Sequence, residues 1–198
     1  MKNSEISFSK VTYHSSHGDP DNIPENPTMP QIAFCGRSNS GKSSLINAIC
    51  SNNKLVKVSS QPGKTKEINF FLADDHYFLV DLPGFGYAKA SHELRDTMID
   101  RVNRYLNNSK TLRLIFILCD SKRALPEEEK NLVKIALKKK IRPVIVRTKI
   151  DKLNQKEKNI LISETNSIQS RFRDVKVIHS SVKNSSGLNE ILSLIKEY

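Results

Sequence analysis

The sequence predicts an α/β fold in three layers, a mostly parallel sheet with helices on both faces. From Gln31 onward, short apolar runs of strand length alternate with longer segments whose apolar residues recur at helical spacing. Such alternation builds a parallel sheet, because parallel neighbours need a crossover and the crossover helices cover the two faces. Glycines and polar residues cluster just after the apolar runs, at the strand ends where open α/β sheets bind ligands.

The elements follow in order. Residues 1–30 read as an extended leader, with a candidate edge strand in the alternating segment from Ile6 to Val11 and then a polar stretch ending in Pro24, Pro27 and Pro30. Residues 31–198 read as one domain. It opens with a buried strand, Ile32 to Cys35, a Gly-rich loop, and a helix carrying Leu45, Ile46, Ile49 and Cys50. Ser51 to Lys66 is polar and Pro/Gly-bearing, a loop. Strands are expected over Glu67–Ala73 and His76–Asp81 around an Asp74-Asp75 turn, then a second loop and a helix over Ser91–Leu106. The remainder alternates regularly: strand Leu112–Cys119, helix Glu127–Lys139 behind Pro126, strand Pro143–Arg147, helix Gln155–Phe172, strand Val175–Ile178 and helix Leu188–Lys196.

Composition narrows the class. The chain has 198 residues, 37% of them hydrophobic, and no apolar stretch approaches the roughly 20 residues of a membrane span. The start, Met1-Lys2-Asn3-Ser4-Glu5, is not followed by the apolar core of a signal peptide, so a cytoplasmic location is expected; monomer is the default oligomeric state. Cys35, Cys50 and Cys119 lie in apolar runs without C-x-x-C spacing, which suits core thiols in a reducing compartment. His14-x-x-His17 has no accompanying cluster of Cys or carboxylate ligands to make a metal site. The net charge of +11 points to a polyanionic partner. Part of that excess, Lys138-Lys139-Lys140, ends a helical pattern begun by Glu127-Glu128-Glu129, which the helix dipole alone would favour.

The chemistry sits at the strand ends. Gly36-Arg37-Ser38-Asn39-Ser40-Gly41-Lys42-Ser43 reads G-x-x-x-x-G-K-S between a strand and a helix, the loop whose backbone N–H groups cradle phosphates. Lys42 would lie against the β- and γ-phosphates and the Ser43 hydroxyl would ligate Mg²⁺. The second apolar pair ends in Asp81-Leu82-Pro83-Gly84, a D-x-x-G in which Asp81 would hold Mg²⁺ through water and the Gly84 N–H would approach the γ-phosphate. By itself that string is equally a Pro-Gly turn. Thr148-Lys149-Ile150-Asp151 selects the base: a carboxylate accepts at once from guanine N1–H and N2–H₂, whereas adenine offers an acceptor at N1 and no 2-amino group. The Lys149 stem would cover one face of the base. His179-Ser180-Ser181-Val182-Lys183 is a turn whose backbone N–H groups would meet guanine O6.

These four motifs, in this order and each at a strand end, resemble the Ras-like GTPases over about residues 31–197. The strings Gly-Arg-Ser-Asn-x-Gly-Lys-Ser-Ser-Leu-Ile-Asn (36–47), Pro-Gly-Lys-Thr (62–65), Asp-Leu-Pro-Gly-Phe-Gly-Tyr-Ala (81–88) and Thr-Lys-x-Asp (148–151) resemble more narrowly the EngB (YihA/YsxC) family of bacterial TrmE-Era type P-loop GTPases. The resemblance implies a Ras-like sheet with one antiparallel strand and a switch segment Gly63-Lys64-Thr65-Lys66-Glu67. In that segment Thr65 would join Ser43 on Mg²⁺ and contact the γ-phosphate.

Many GTPases orient the attacking water with a Gln immediately after the D-x-x-G glycine, and here Phe85 stands there, so intrinsic hydrolysis is expected to be slow. The resemblance suggests a compensating K⁺, with Asn39 where K⁺-dependent relatives place a ligand asparagine; Asn is also an ordinary loop residue. The catalytic set is therefore Lys42, Thr65, Gly84 and Asn39, serving a GTP/GDP switch. Its implied partner is the assembling large ribosomal subunit, its rRNA and proteins, with a role on which cell division and septation depend. Two other readings stand beside it, a septum-associated or signalling scaffold with structural GTP binding and a P-loop ATPase or kinase.

Overall fold

In the computed structural model, which describes residues 8–24, 28–56, 67–85 and 92–198, the chain forms a seven-stranded sheet flanked by five helices. The strands are β1 (Val11–His17), β2 (Gln31–Gly36), β3 (Ile68–Ala73), β4 (Tyr77–Asp81), β5 (Leu112–Asp120), β6 (Arg142–Thr148) and β7 (Lys176–His179). The helices are α1 (Lys42–Ile49), α2 (His92–Asn108), α3 (Glu127–Lys138), α4 (Gln155–Arg171) and α5 (Leu188–Ile195). The strand order is β1-β3-β4-β2-β5-β6-β7, and only β3 runs against the others, pairing antiparallel with both β1 and β4. This is the Ras-like arrangement the sequence predicts.

Period-two alternation in the central strands divides the core between the two faces. Ala33 and Cys35 of β2 and Ile115, Ile117 and Cys119 of β5 pack under α2, α3 and α4, against Val102, Leu132 and Ile168. Ile32, Phe34, Leu114, Phe116 and Leu118 face the other way, toward Leu45 and Ile49 of α1 and Ile191 and Ile195 of α5. Burial pushes the thiols up, Cys50 to about 12 and Cys119 to about 11, so they act as apolar packing groups.

The edge strand falls at Val11–His17, beyond the alternating segment from Ile6 to Val11 that the sequence suggested; residues 6 and 7 lie outside the described residues. The register shifts between Tyr13 and Ser15, so that His14 packs edge-on against Phe78 and His17 against Phe70, both on one face. Ser15 Oγ meets both rings, His14 Nδ1 at 2.9 Å and His17 Nε2 at 2.9 Å. Beyond this strand the chain is pinned to the main body by Gln31, whose amide donates to the Pro24 carbonyl at 2.8 Å and accepts from Tyr105 Oη at 2.7 Å.

A candidate guanine-nucleotide site

The loop after β2 is shaped by backbone that only certain residues adopt. Asn39 and Gly41 sit at φ 64° and 93°, in the left-handed region, and Gly41 begins α1. At Gly36 the constraint is space, since a Cβ there would lie 2.6 Å from the Leu118 carbonyl oxygen and 2.7 Å from Ser40 Oγ. Helix α1 starts with no side-chain cap and no acidic residue in its first turn, which leaves its positive end for an anion.

The D-x-x-G segment lies directly on this loop. The Ser38 N–H donates to the Phe85 carbonyl at 2.9 Å, and a Cβ on Gly84 would stand 3.4 Å from Ser38 Oγ. The two charges the sequence assigned to phosphate and metal meet each other: Lys42 Nζ donates to Asp81 Oδ1 in a buried ion pair, with Asp81 only 1% exposed. Ser43 is half-buried on the first turn of α1. Serine hydroxyl and carboxylate are the hard oxygen donors Mg²⁺ takes. Among the described residues no group of three His, Cys, Asp or Glu could hold a metal ion. Leu82 and Phe85 are buried, and the Phe85 ring packs into the α2–α3 core with Val102 and Leu132. The residue after the glycine therefore brings no polar group toward the loop. Gly63, Lys64, Thr65 and Lys66 lie outside the described residues, and Glu67 is exposed just before β3.

At the other end of the site, Lys149 adopts φ 61°. Its ammonium donates to the Asn39 carbonyl at 2.6 Å and to Asp120 Oδ2 at 2.9 Å, while Thr148 Oγ1 donates to the Ser40 carbonyl at 2.6 Å. The β6 end is thus fastened to the phosphate loop. Asp151 is exposed, with one oxygen accepting from Ser181 Oγ at 2.6 Å. That hydrogen bond, above all, holds its carboxyl below the usual value, helped by Lys183 and Lys152. The neighbouring turn divides its donors. Ser180 N–H is taken by the Arg147 carbonyl at 2.8 Å and Ser181 N–H by the Ser186 carbonyl at 3.1 Å. The Ser181 hydroxyl is engaged by Asp151, and the Val182 N–H makes no hydrogen bond among the described residues.

Two supporting groups escaped the sequence reading. Asp120 ends β5 beside Lys149. Burial opposes its ionisation, but the Lys149 hydrogen bond, the Lys122 N–H and the charges of Lys149 and Arg123 outweigh it and hold the carboxyl below its ordinary value. The strand-end rule that found Asp81 would have found it. Arg147 is 1% exposed, ion-paired to Glu164 at 2.9 Å, and donates to the Arg123 carbonyl; Glu164 in turn accepts the Leu125 N–H at 2.6 Å. Its signal was a lone cation in the apolar run of β6.

A family model for 50S ribosome-binding GTPases matches residues 31–149. The chain is 44% identical over 197 residues, 98% of its own length and 91% of the relative's, to the probable GTP-binding protein EngB of Leptospira biflexa. It belongs to the EngB family. To the probable EngB of Rickettsia bellii it is 40% identical over 166 residues, covering 84% of this chain and 78% of that one. A crystal structure of a probable GTP-binding protein engB superposes with a TM-score of 0.68 at 22% identity, over 84% of this chain and 97% of that one. This EngB-family chain is thus a P-loop GTP-binding protein of a ribosome-binding GTPase family. No helix among its described residues is long and apolar enough to cross a membrane.

Proposed function

We propose that this chain hydrolyses GTP and works as a nucleotide-dependent switch in assembly of the large ribosomal subunit, a step on which normal cell division and septation depend. The observation that carries the GTP reading is Lys149 at the end of β6, whose ammonium donates to the Asn39 carbonyl of the phosphate loop and to Asp120 at the end of β5, tying the loop to the strand end that carries Asp151. One rigid unit then measures phosphates with Gly36 to Ser43 and guanine with Asp151 and the Val182 N–H.

Mg²⁺ would be held by Ser43 and Asp81, with Thr65 and bound phosphates, and supplies charge neutralisation at the phosphates. Lys42 exchanges the Asp81 carboxylate for phosphate oxygens, so its charge stays compensated in both states. The buried Phe85 ring supports slow intrinsic turnover, since no side chain at that position orients water. Asn39, exposed at the mouth of the loop, offers an amide oxygen of the kind that suits K⁺.

Sedimentation with purified large ribosomal subunits, in a non-hydrolysable GTP analogue against GDP and across a salt series, tests the switch reading. Association that depends on the nucleotide is expected. Nucleotide-independent behaviour would favour a scaffold, and equal competition by ATP and GTP would favour a P-loop ATPase or kinase.

A further inference from the structure

We propose that the sheet edge where β5, β6 and β7 begin, opposite the nucleotide site, is the surface that docks on the phosphate backbone of ribosomal RNA; the proposal rests on the ribosomal reading above. Parallel pairing gathers the N-terminal ends of these three neighbouring strands on one edge, with Leu114 beside Arg142 and Val144 beside Lys176. The crossover helices return to the same edge. Lys139 Nζ donates to the Asn107 carbonyl at 3.1 Å, which places the C-terminal ends of α3 and α2 side by side.

The exposed cations here are Lys110, Arg113, Lys138, Lys139, Lys140 and Arg173. Among the described residues, the side chains of Arg113, Lys138, Lys140 and Arg173 make no hydrogen bond or ion pair. The acidic groups at this edge are Asp174, Glu197 and, against the end of α2, Asp19 and Asp21; Glu197 is ion-paired with Arg142, and Asp19 and Asp21 are ion-paired with Arg104. The acidic turn Asp74-Asp75 begins β4, on the far side of β2. Helix C-terminal dipoles account for Lys138 and Lys139. They do not account for Arg113, which projects to solvent from β5 between buried Leu112 and Leu114.

Point charges spread over two helix ends and the starts of three strands, about 5 Å apart, match the repeated phosphates of a nucleic acid. A membrane surface fits less well, because a basic interfacial helix carries a broad apolar stripe and α3 exposes Leu137 as its one large hydrophobic residue. Because P-loop and base turn face the opposite way, this edge supplies affinity that depends on salt and not on the nucleotide.

The test is binding of the full chain to deproteinised large-subunit rRNA across a salt series. The triple variant Arg113→Glu, Lys138→Glu, Lys140→Glu is compared with a control of equal charge change, Lys54→Glu, Lys156→Glu, Lys158→Glu, and with the milder Gln versions of the first set, which preserve the fold if reversal does not. The edge variants are expected to bind more weakly and to lower the slope of log Kd against log salt by roughly 0.7–0.9 for each contact removed, equally in GTP and GDP. GTP turnover should be unchanged. Edge variants that bind rRNA like the native chain, or no better and no worse than the control, overturn the proposal. Loss of binding to isolated ribosomal proteins with rRNA binding intact overturns it in favour of an acidic protein partner. Native protein that binds rRNA through this edge yet never sediments with large subunits overturns the ribosomal reading instead.

Discussion

Ser181 donates its hydroxyl hydrogen to Asp151 Oδ1 at 2.6 Å across 30 residues of chain, and so turns an exposed carboxylate into an oriented one. With that oxygen engaged and Lys149 tied to Asn39 and Asp120, the side chains at the proposed base end of the site are held by the chain's own hydrogen bonds. Preorganisation of this kind raises affinity by reducing what must be ordered on binding.

Asp151→Asn should weaken GTP binding roughly tenfold or more, because two charge-assisted acceptor contacts to guanine become one neutral acceptor and a misplaced donor. Xanthosine triphosphate, with a carbonyl where guanine has its amino group, should lose less or gain. Equilibrium titration with both nucleotides reads this out, and unchanged GTP affinity would contradict the assignment.

The pH dependence has a definite sign. Because Ser181 lowers the Asp151 value beneath the ordinary 3.8, the ionised form persists at higher pH and is lost only as pH falls through that lowered value. In Ser181→Ala the acid limb of GTP binding should move to higher pH. Superimposable acid limbs for the two proteins would show that the hydroxyl does not tune the carboxylate.

Lys42→Met should destabilise the nucleotide-free protein by about 3–5 kcal/mol, since it strands Asp81 as an unpaired charge in a buried site. The double variant Lys42→Met, Asp81→Leu should recover most of that stability while still failing to bind nucleotide. Chemical denaturation compares the three proteins, and a double variant no better than the single one would refute the pair's structural weight.

Gly36→Ala should cost about 1–3 kcal/mol and most of the nucleotide affinity, because the Leu118 carbonyl facing the new methyl is backbone in the sheet and cannot swing aside. Thermal unfolding with and without GDP checks it: a variant still stabilised by GDP as strongly as the native chain would count against the clash.

If K⁺ assists hydrolysis through Asn39, turnover should be faster in KCl than in NaCl, and Asn39→Ala should abolish the difference while leaving GDP affinity nearly intact. Equal rates in both salts would remove the ion from the mechanism.

The sequence by itself determined the α/β class, the succession of elements from Gln31, and the positions of the phosphate, D-x-x-G and T-K-x-D motifs. These are local: strand and helix periods, glycine conformations and donor inventories are written within a few residues of one another. Only the tertiary structure decided what those positions touch. The edge strand at Val11–His17 depends on pairing with β3, and no periodicity within so polar a segment foretells it. Asp120 meets Lys149 because parallel pairing brings the β5 and β6 ends together, Arg147 meets Glu164 because α4 packs beside β6, and the Ser180 N–H is given up to the Arg147 carbonyl, far along the chain. Strand order is a long-range outcome of burial and crossover geometry, so it alone determined which cations share an edge and which side chains complete the site.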